Sequence, residues 1–341
     1  MKKSRLIALA AFGLAVAYYF GAGRLELARI VKPLPNAPSA LADGVAIDRE
    51  QLLGDVRKLA SVEFAGRKTG SDGSRKTQAF LQERFAALGL QMVGASYVHP
   101  FTFEHKSVKA LVTPGRPFST QYTAANVIGQ IRGSQYPERY LVVSAHYDHF
   151  GTREGKLYPG ADDNASGVAA MLAIAAYFKA HPPLHSVLFA AFDGEEMGLH
   201  GAKAFVAAPP VPLDKLVMDL NMDMVSHNEQ NEIFASGTSY TPALKPLVEQ
   251  AAKRATVKLM LGHDRPMLVA GNVEDWTDSS DHGPFHDAGI PFLYFGVEDH
   301  ADYHAPSDTF EHINQDFFAK VAALLVDTAV TLDRNLETVR R

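Results

Sequence analysis

Residues 140–148 read Tyr-Leu-Val-Val-Ser-Ala-His-Tyr-Asp, an apolar run that ends in side chains able to bind a metal. Similar apolar runs occupy Ser186–Phe192, Leu216–Asn221 and Pro291–Phe295. Apolar runs of this length, without polar alternation, are typical of strands covered on both faces in a sheet with parallel members. The four runs therefore predict the central strands of a layered α/β sheet.

Segments with apolar residues at helical spacing lie before, between and after these runs. The segments that carry it are Asp48–Ser61, Ser71–Leu88, 166–180, 241–255 and 316–335. A further stretch, residues 97–131, favours β-structure and turns but follows no single period. Strands that alternate with helices predict an α/β fold with helices against the faces of the sheet.

The composition excludes several classes of protein. The chain has 341 residues, a net charge of −5 and no cysteine. Mixed charges of this size give no basis for a nucleic-acid or anionic-membrane surface. The lack of cysteine excludes thiolate metal sites, disulfides and a cysteine nucleophile. The length suits one α/β domain of about 200–300 residues behind a leader.

The N-terminus has the pattern of an export signal. Lys2, Lys3 and Arg5 precede an unbroken run of apolar and small residues, Leu6–Gly23. Within it, Ala15-Val-Ala17 is a candidate cleavage site of the small-x-small type. If the run is not cleaved, it is barely long enough to cross a bilayer as an anchor.

The chain therefore divides into three predicted parts. Residues 1–30 are a signal peptide or N-terminal membrane anchor, and residues 31–47 are a linker rich in proline and small residues. Residues 48–341 form one folded domain. A leader of this kind predicts a periplasmic or secreted protein, anchored to the membrane if the leader is retained. The oligomeric state is not assigned.

Candidate metal ligands lie at the ends of the predicted strands or in the turns beyond them. They are His146, Glu195, Glu196, Asp223, His304 and the two aspartates of Gly160-Ala-Asp-Asp-Asn164. In open α/β sheets the carboxyl ends of the strands form the ligand-binding crevice. Imidazole and carboxylate ligands suit a borderline cation such as Zn²⁺, and one carboxylate can bridge two ions. Two histidines and three acids thus predict a pair of metal sites, with one glutamate left free to move protons.

Six segments resemble those of metallopeptidase family 28. They are His146–His149, Gly160–Gly167, Phe189–Leu199, Asn221–Met224, Ser280–His282 and His304–Thr309. The segment Phe64–Gly70 also resembles the family, and the likeness covers most of the chain from about Leu59. The family contains co-catalytic zinc aminopeptidases, including bacterial leucyl aminopeptidases, and also glutamate carboxypeptidases and relatives of glutaminyl cyclases. The resemblance implies their fold, a three-layer sandwich whose mixed, largely parallel central sheet is flanked by helices.

The resemblance also implies two zinc ions per chain. His146, Asp163 and Asp223 would bind one ion. Asp163, Glu196 and His304 would bind the other, so that Asp163 bridges the pair. Asp163 is chosen over the aspartate before it because the family's ligand lies three residues before a serine. The chemistry of the two neighbouring aspartates alone cannot separate them.

Two further acids receive roles from the resemblance. Glu195 is the expected general base and then general acid of the reaction. Asp148 is expected to accept the second ring N–H of His146 and so to fix its tautomer. Because side chains alternate along a strand, Glu195 and Glu196 fit a turn better than a strand. Members of the family often have a cis peptide bond after the residue that matches Asp163.

The resemblance implies an exported two-zinc aminopeptidase that releases N-terminal residues from peptides. A cyclase-like acyltransferase would use one zinc, and a non-catalytic binding ectodomain would usually lose ligands; the complete ligand set disfavours both. A carboxypeptidase remains open, with Arg153 or Arg265 as its carboxylate clamp. For the substrate amine the candidates are the acids of the loop Glu274–Asp278, which also fit an exposed run of charges.

The oxyanion donor is not assigned from the sequence. Related aminopeptidases carry a tyrosine shortly before the Ser280–His282 segment, but this chain reads Trp276-Thr-Asp-Ser279 there. Tyr303 is an alternative donor, and a packed core tyrosine is an equally good interpretation. Asp281 and His282 either support the metal site or form structural hydrogen bonds.

Overall fold

The computed structural model describes residues 47–106, 118–266 and 273–339, together with Val45 and the pair Lys32–Pro33. The predicted leader, residues 1–30, lies outside the described residues, as does most of the predicted linker. The three predicted parts of the chain therefore stay predictions. No helix among the described ranges is long and apolar enough to cross a membrane.

Twelve strands are formed by the described residues. They are β1 Lys32–Pro33, β2 Gln91–Met92, β3 Val98–Lys106, β4 Ser119–Ile131, β5 Tyr136–His146, β6 Gly151–Arg153, β7 Lys156–Tyr158, β8 His185–Phe192, β9 Leu216–Met222, β10 Glu232–Ser236, β11 Lys258–Leu261 and β12 Phe292–Gly296. The main sheet has the order β1-β11-β10-β12-β9-β5-β8-β4-β2, and β3 pairs with β4 outside this path. Strands β6 and β7 form a separate ribbon.

The centre of the main sheet is parallel and its outer parts are mixed. Strands β12, β9, β5 and β8 run parallel to one another. Strands β3 and β4 form an antiparallel hairpin, and β4 joins β8 in the antiparallel sense. The four predicted apolar runs are these parallel central strands. The mixed sheet predicted from the sequence is confirmed, and its parallel part is the centre formed by these four strands.

The hairpin of β3 and β4 explains why residues 97–131 show no clean period. The outer half of β4, from Ser119 to Thr123, is mostly exposed, whereas Ala124–Gly129 is buried against the sheet. One continuous strand therefore passes through two environments. A single hydrophobic period cannot describe both.

Seven helices flank the sheet in the described part of the chain. They are α1 Arg49–Leu59, α2 Asp72–Ala87, α3 Gly167–Ala180, α4 His200–Ala207, α5 Leu244–Ala252, α6 His282–Asp287 and α7 Gln315–Asn335. One face of the sheet packs on α1, α2, α3, α5 and α7, and the other face packs on α4 and α6. Each face of the sheet has its own hydrophobic core, and strand β5 contributes to both. Leu141 and Val143 pack in the core on the first face, and Tyr140 and Val142 pack in the core on the second. This is the predicted three-layer arrangement.

The sheet brings the predicted site residues to one edge. Strand β5 ends at His146, which pairs in register with Phe192 at the end of β8. Strand β9 runs parallel to β5 on its other side and ends at Met222. Because adjacent parallel strands end at the same edge, the residues just beyond them converge there. Past β8, residues Glu195–Met197 form a 3₁₀ turn, in agreement with the prediction that the two glutamates lie on a turn.

Candidate metal centre

Asp163 lies between two histidines. Its Oδ1 is 3.3 Å from Nε2 of His146, and its Oδ2 is 3.3 Å from Nε2 of His304. The residue is only 3% exposed. One buried carboxylate thus presents a separate oxygen to each of two groups of ligands.

The first ligand group consists of His146, Asp163 and Asp223. The Nε2 atom of His146 is 3.1 Å from Oδ1 of Asp223, and the ligand atoms of all three buried residues lie within 4.8 Å of one another. The Nδ1–H of His146 donates to the backbone carbonyl of Asp148 at 3.1 Å, while the Asp148 carboxylate is 3.8 Å away. The expected ring partner therefore differs, because the carbonyl rather than the carboxylate is the nearer acceptor. Either acceptor leaves Nε2 free for a metal.

The second ligand group is the set predicted for the other ion, Asp163, Glu196 and His304; in the structure the ligand atoms of Asp163 and Glu196 also lie within 4.8 Å of a ring nitrogen of His149. The Oε2 atom of Glu196 is 3.8 Å from Nε2 of His304. A residue that the sequence interpretation did not use, His149, also reaches this group. Its Nδ1 atom is 2.6 Å from Oε1 of Glu196 and 3.6 Å from Oδ2 of Asp163. Burial lowers the pKa of His149 to about 3, so its ring is neutral.

Glu195 lies beside His146 at the same edge of the sheet. Its Oε2 atom is 3.9 Å from Nε2 of His146, and its side chain is 13% exposed. The backbone N–H of Glu195 donates to Oδ1 of Asp148 at 3.0 Å, and the hydroxyl of Thr69 donates to the other oxygen at 3.1 Å. Asp148 therefore holds the turn that carries Glu195 by accepting its backbone N–H.

The structure separates Asp163 from the aspartate before it. The Oδ1 atom of Asp162 accepts hydrogen bonds from the backbone N–H of Ser226 at 2.7 Å and from its hydroxyl at 2.8 Å. The Oδ2 atom is 3.0 Å from Nε2 of His300. Asp162 thus points away from both ligand groups. The peptide bond from Asp163 to Asn164 is cis, as the resemblance implied.

A small cavity opens onto both ligand groups. Its volume is about 210 Å³, and it is lined by His146, Asp163, Glu195, Glu196, Asp223, Met224, Ser279, Tyr303 and His304. The ring of Tyr303 stacks on His304 with 3.7 Å between centroids. Burial and the nearby carboxylates raise the pKa of Tyr303 far above its usual value, so its hydroxyl stays protonated.

The other candidate substrate contacts lie elsewhere. The guanidinium of Arg153 covers the ring of Phe150 at 3.3 Å, and Nε of Arg265 donates to the hydroxyl of Ser239. Within the described part of the chain, neither arginine lines the cavity. The loop acids Glu274 and Asp278 are exposed and do not line it either.

The site carries more buried acid than its histidines can balance. Burial raises the pKa of Glu195, Glu196 and Asp281 well above that of an ordinary carboxyl group, and neighbouring carboxylates raise it further. Both carboxylate oxygens of the fully buried Asp281 lack a hydrogen-bond partner among the described residues. Burial opposes a charge on His146, but the surrounding carboxylates raise its pKa well above 6.5. Such a surplus of negative charge fits divalent cations bound by nitrogen and oxygen.

Comparison with known proteins agrees with this geometry. A family model described as peptidase family M28 matches residues 126–329. Aminopeptidase YwaD of Bacillus subtilis is 30% identical over 236 residues, which cover 65% of this chain and 48% of that protein. A probable zinc metalloprotease of Pyrenophora tritici-repentis is 30% identical over 214 residues, covering 52% and 46%. The chain therefore spans about half the length of these curated relatives.

Solved structures show the same fold. A zinc aminopeptidase from Bacillus subtilis superposes with a TM-score of 0.66 at 17% identity, over 84% of this chain and 95% of the other. Glutaminyl cyclase from Fimbriiglobus ruber gives a TM-score of 0.62 at 20% identity, over 84% and 95%. The family match covers more than half of the chain, and it confirms the resemblance drawn from the motifs. This chain belongs to peptidase family M28.

Proposed function

We propose that this chain is an exported aminopeptidase that uses two zinc ions. The observation that carries the proposal is Asp163, whose two oxygens face different histidines. The first ligand group would bind one ion and the second ligand group the other, with Asp163 shared. The nitrogen and oxygen donors are those that zinc prefers, and the curated relatives include zinc metalloproteases. When bound, two such ions polarise a peptide carbonyl and lower the pKa of a water molecule between them.

Glu195 would carry the proton during hydrolysis. Its carboxylate lines the cavity beside His146, and in the proposed assignment Glu195 is not a ligand of either ion. It would accept a proton from the attacking water and return it to the leaving amine. The hydrogen bond from its N–H to Asp148 holds the turn that aims it. Tyr303, which stays protonated at the cavity wall, would donate a hydrogen bond to the developing oxyanion.

Three features favour the amino end of a peptide as the substrate. The cavity is smaller than the roughly 300–1,000 Å³ of typical small-molecule pockets, which suits a terminal residue. No arginine of the described ranges lines it, so it offers no clamp for a terminal carboxylate. Its acids would attract an ammonium group. The relative YwaD is itself an aminopeptidase.

The substrate end is tested with three peptides. The purified full chain, loaded with zinc, is incubated with a free-amine peptide, its N-acetylated form and a peptide with N-terminal glutamine. We expect release of the first residue from the free-amine peptide and none from the capped one, because the cap removes the ammonium group. Cleavage of the capped peptide at its carboxyl end would identify a carboxypeptidase. Ring closure of the glutamine without release of a residue would identify a cyclase.

Export is supported by the sequence alone. The basic residues Lys2, Lys3 and Arg5 and the apolar run Leu6–Gly23 have the layout of a signal peptide or anchor. Expression of the full chain in a bacterium, followed by fractionation, should find it in the periplasm, the medium or the membrane. Recovery in the cytoplasm with an intact N-terminus would contradict export.

A further inference from the structure

His149 is enclosed against the second ligand group. Its ring is only 1% exposed and stacks on Phe150, with 4.6 Å between centroids. On another side it lies against Gly160, where an added Cβ would be 2.7 Å from the ring atoms Cγ and Cδ2. Gly160 also has a left-handed φ of +62°, so both space and conformation require glycine there. The ring of His149 is therefore held in one place.

The distance between His149 and Glu196 is what distinguishes a hydrogen-bond donor from a metal ligand, since His149 Nδ1 lies 3.6 Å from Oδ2 of Asp163, a spacing that either role allows. Two ligands of one tetrahedral zinc ion lie about 3.3 Å apart at ordinary zinc bond lengths. Asp163 Oδ2 and His304 Nε2 are 3.3 Å apart, and Glu196 Oε2 and His304 Nε2 are 3.8 Å apart. The 2.6 Å between Nδ1 of His149 and Oε1 of Glu196 is too short for two ligands of one ion, and it is a hydrogen-bond distance.

The second ring nitrogen leads to the same assignment. Nε2 of His149 is buried and has no hydrogen-bond partner in the described part of the chain. A metal-bound histidine normally donates its other N–H to an acceptor. If Nδ1 bound a metal, Nε2 would carry an N–H with no acceptor. If Nδ1 carries the hydrogen, Nε2 keeps only a lone pair and no buried donor is left unpaired.

We propose that His149 is a positioning residue, whose Nδ1–H donates to Oε1 of Glu196 and so leaves Oε2 as the single oxygen available to a metal. The inference rests on the proposed two-zinc function. The unpartnered Nε2 of His149 places the ring hydrogen on Nδ1, so Nδ1 donates and Oε1 of Glu196 accepts. A carboxylate restricted to one metal bond leaves a coordination position open for water or substrate.

Phe150 also orients His304, the histidine of the second ligand group. Its ring packs between two imidazoles, at 4.6 Å from His149 and at 4.5 Å and 61° from His304. Two of the three members of the second ligand group are thus oriented by the pair His149–Phe150. Hydrogen-bond partners of metal ligands typically contribute about 10–100-fold to metal affinity.

The test compares His149→Asn with His149→Gln. The amide nitrogen of Asn is as far along the side chain as Nδ1, whereas that of Gln corresponds to Nε2. Both variants lose the ring, so they are matched for lost packing. Zinc affinity is measured by competition with a chelating dye, coordination by the visible spectrum of the cobalt-loaded protein, and folding by the melting temperature of the metal-free protein.

We expect His149→Asn to bind two zinc ions with nearly wild-type affinity and an unchanged cobalt spectrum. His149→Gln should bind one ion normally and the other about 10–100-fold more weakly. Loss of one zinc from a folded Asn variant, or equal affinities in Asn and Gln, would overturn the positioning role. Failure of the wild-type protein itself to bind two ions would instead count against the proposed function.

Discussion

Arg67 and Asp308 both bind the backbone of the loop that carries Asp163. The guanidinium of Arg67 donates to the carbonyls of Pro159 at 2.6 Å and Gly160 at 2.8 Å. The carboxylate of Asp308 accepts the backbone N–H groups of Asp162 at 2.8 Å and Asp163 at 3.0 Å. Carbonyl groups of the loop bind Arg67, and its N–H groups bind Asp308. These contacts fix the loop backbone and so the direction in which the Asp163 carboxylate points.

Removal of the Arg67 side chain should strongly destabilise the folded protein. This fully buried side chain also donates to the carbonyls of Tyr147 and Leu59, and burial lowers its pKa only to about 10, so it keeps its charge. Arg67→Met would leave five carbonyls without this donor, counting that of Asp163 at 3.5 Å, and should lower the free energy of unfolding by on the order of 3–5 kcal/mol. Urea unfolding of the metal-free protein measures this loss.

The matched control for Arg67 is Arg75→Met. Arg75 is a mostly exposed arginine that donates to the carbonyl of Gly70 and pairs with Asp72. Surface pairs of this kind contribute about 0–1 kcal/mol. If Arg67→Met proves no more destabilising than Arg75→Met, the anchoring role of Arg67 is wrong.

Three of the proposed ligands, His146, Glu196 and Asp223, could be found from the sequence because each follows an apolar run. The other two, Asp163 and His304, lie in turns and are assigned through the family resemblance. His146 and Asp223 lie at the ends of strands whose burial is visible in their composition, and parallel strands bring their terminal residues to one edge of the sheet. Glu195 and Glu196 belong to the same pattern. The structure brings these residues together, and it adds His149, which the sequence interpretation did not use, beside Asp163 and Glu196.

The supporting residues could not be predicted in this way. Arg67 reaches the carbonyl of Tyr147 from 80 positions away, and backbone carbonyls leave no trace in composition. Asp308 caps backbone amides from 145 and 146 positions away. His149 lies inside a recognised motif, yet only the fold shows that its ring turns towards Glu196. The predicted ring partner of His146 is wrong for the same reason, since a backbone carbonyl accepts where a carboxylate was expected.

Asp219 should make stability depend on pH. Its Oδ1 accepts a hydrogen bond from the hydroxyl of Ser144 at 2.8 Å, its Oδ2 has no partner in the described ranges, and burial raises its pKa from 3.8 to about 8. Between these two values the folded state binds a proton that the unfolded chain has released. The free energy of unfolding therefore falls as pH rises from about 4 to about 8.

Asp219→Asn should remove this dependence. We expect the variant to gain stability relative to the wild type, by on the order of a few kcal/mol, as the pH of the unfolding experiment is raised from 5 to 9. Asp214→Asn, at a largely exposed position, is the control and should show no such gain. A constant difference between Asp219→Asn and wild type across this range would contradict the account.

Removal of metal should abolish activity and make stability more sensitive to pH. Without cations, buried Glu195, Glu196 and Asp281 hold protons that the unfolded chain would lose, because burial raises their pKa. The chelated protein should therefore be more stable at pH 6 than at pH 8, whereas the zinc-loaded protein should depend less on pH. Melting temperatures of both forms at the two pH values measure the effect.

Restoration by zinc completes that experiment. Dialysed protein should contain about two zinc ions per chain, and activity lost on chelation should return when two equivalents are added back. A stoichiometry that stays at one would favour the cyclase-like alternative. An equal pH response in chelated and loaded protein would show that the acidic cluster does not hold the ions.

Substitutions of the two adjacent glutamates, Glu195 and Glu196, should have different effects. Glu195→Gln keeps the shape of the side chain but cannot carry a proton, so kcat should fall by about 10²–10⁴-fold or more while both zinc ions remain bound. Glu196→Gln removes a charged ligand from the second ligand group, so zinc content and melting temperature should fall together. Glu63→Gln, at an exposed surface pair with Lys58, is the control and should change neither. Zinc analysis and kcat for the three variants decide the roles, and loss of a zinc from Glu195→Gln with two retained in Glu196→Gln would reverse them.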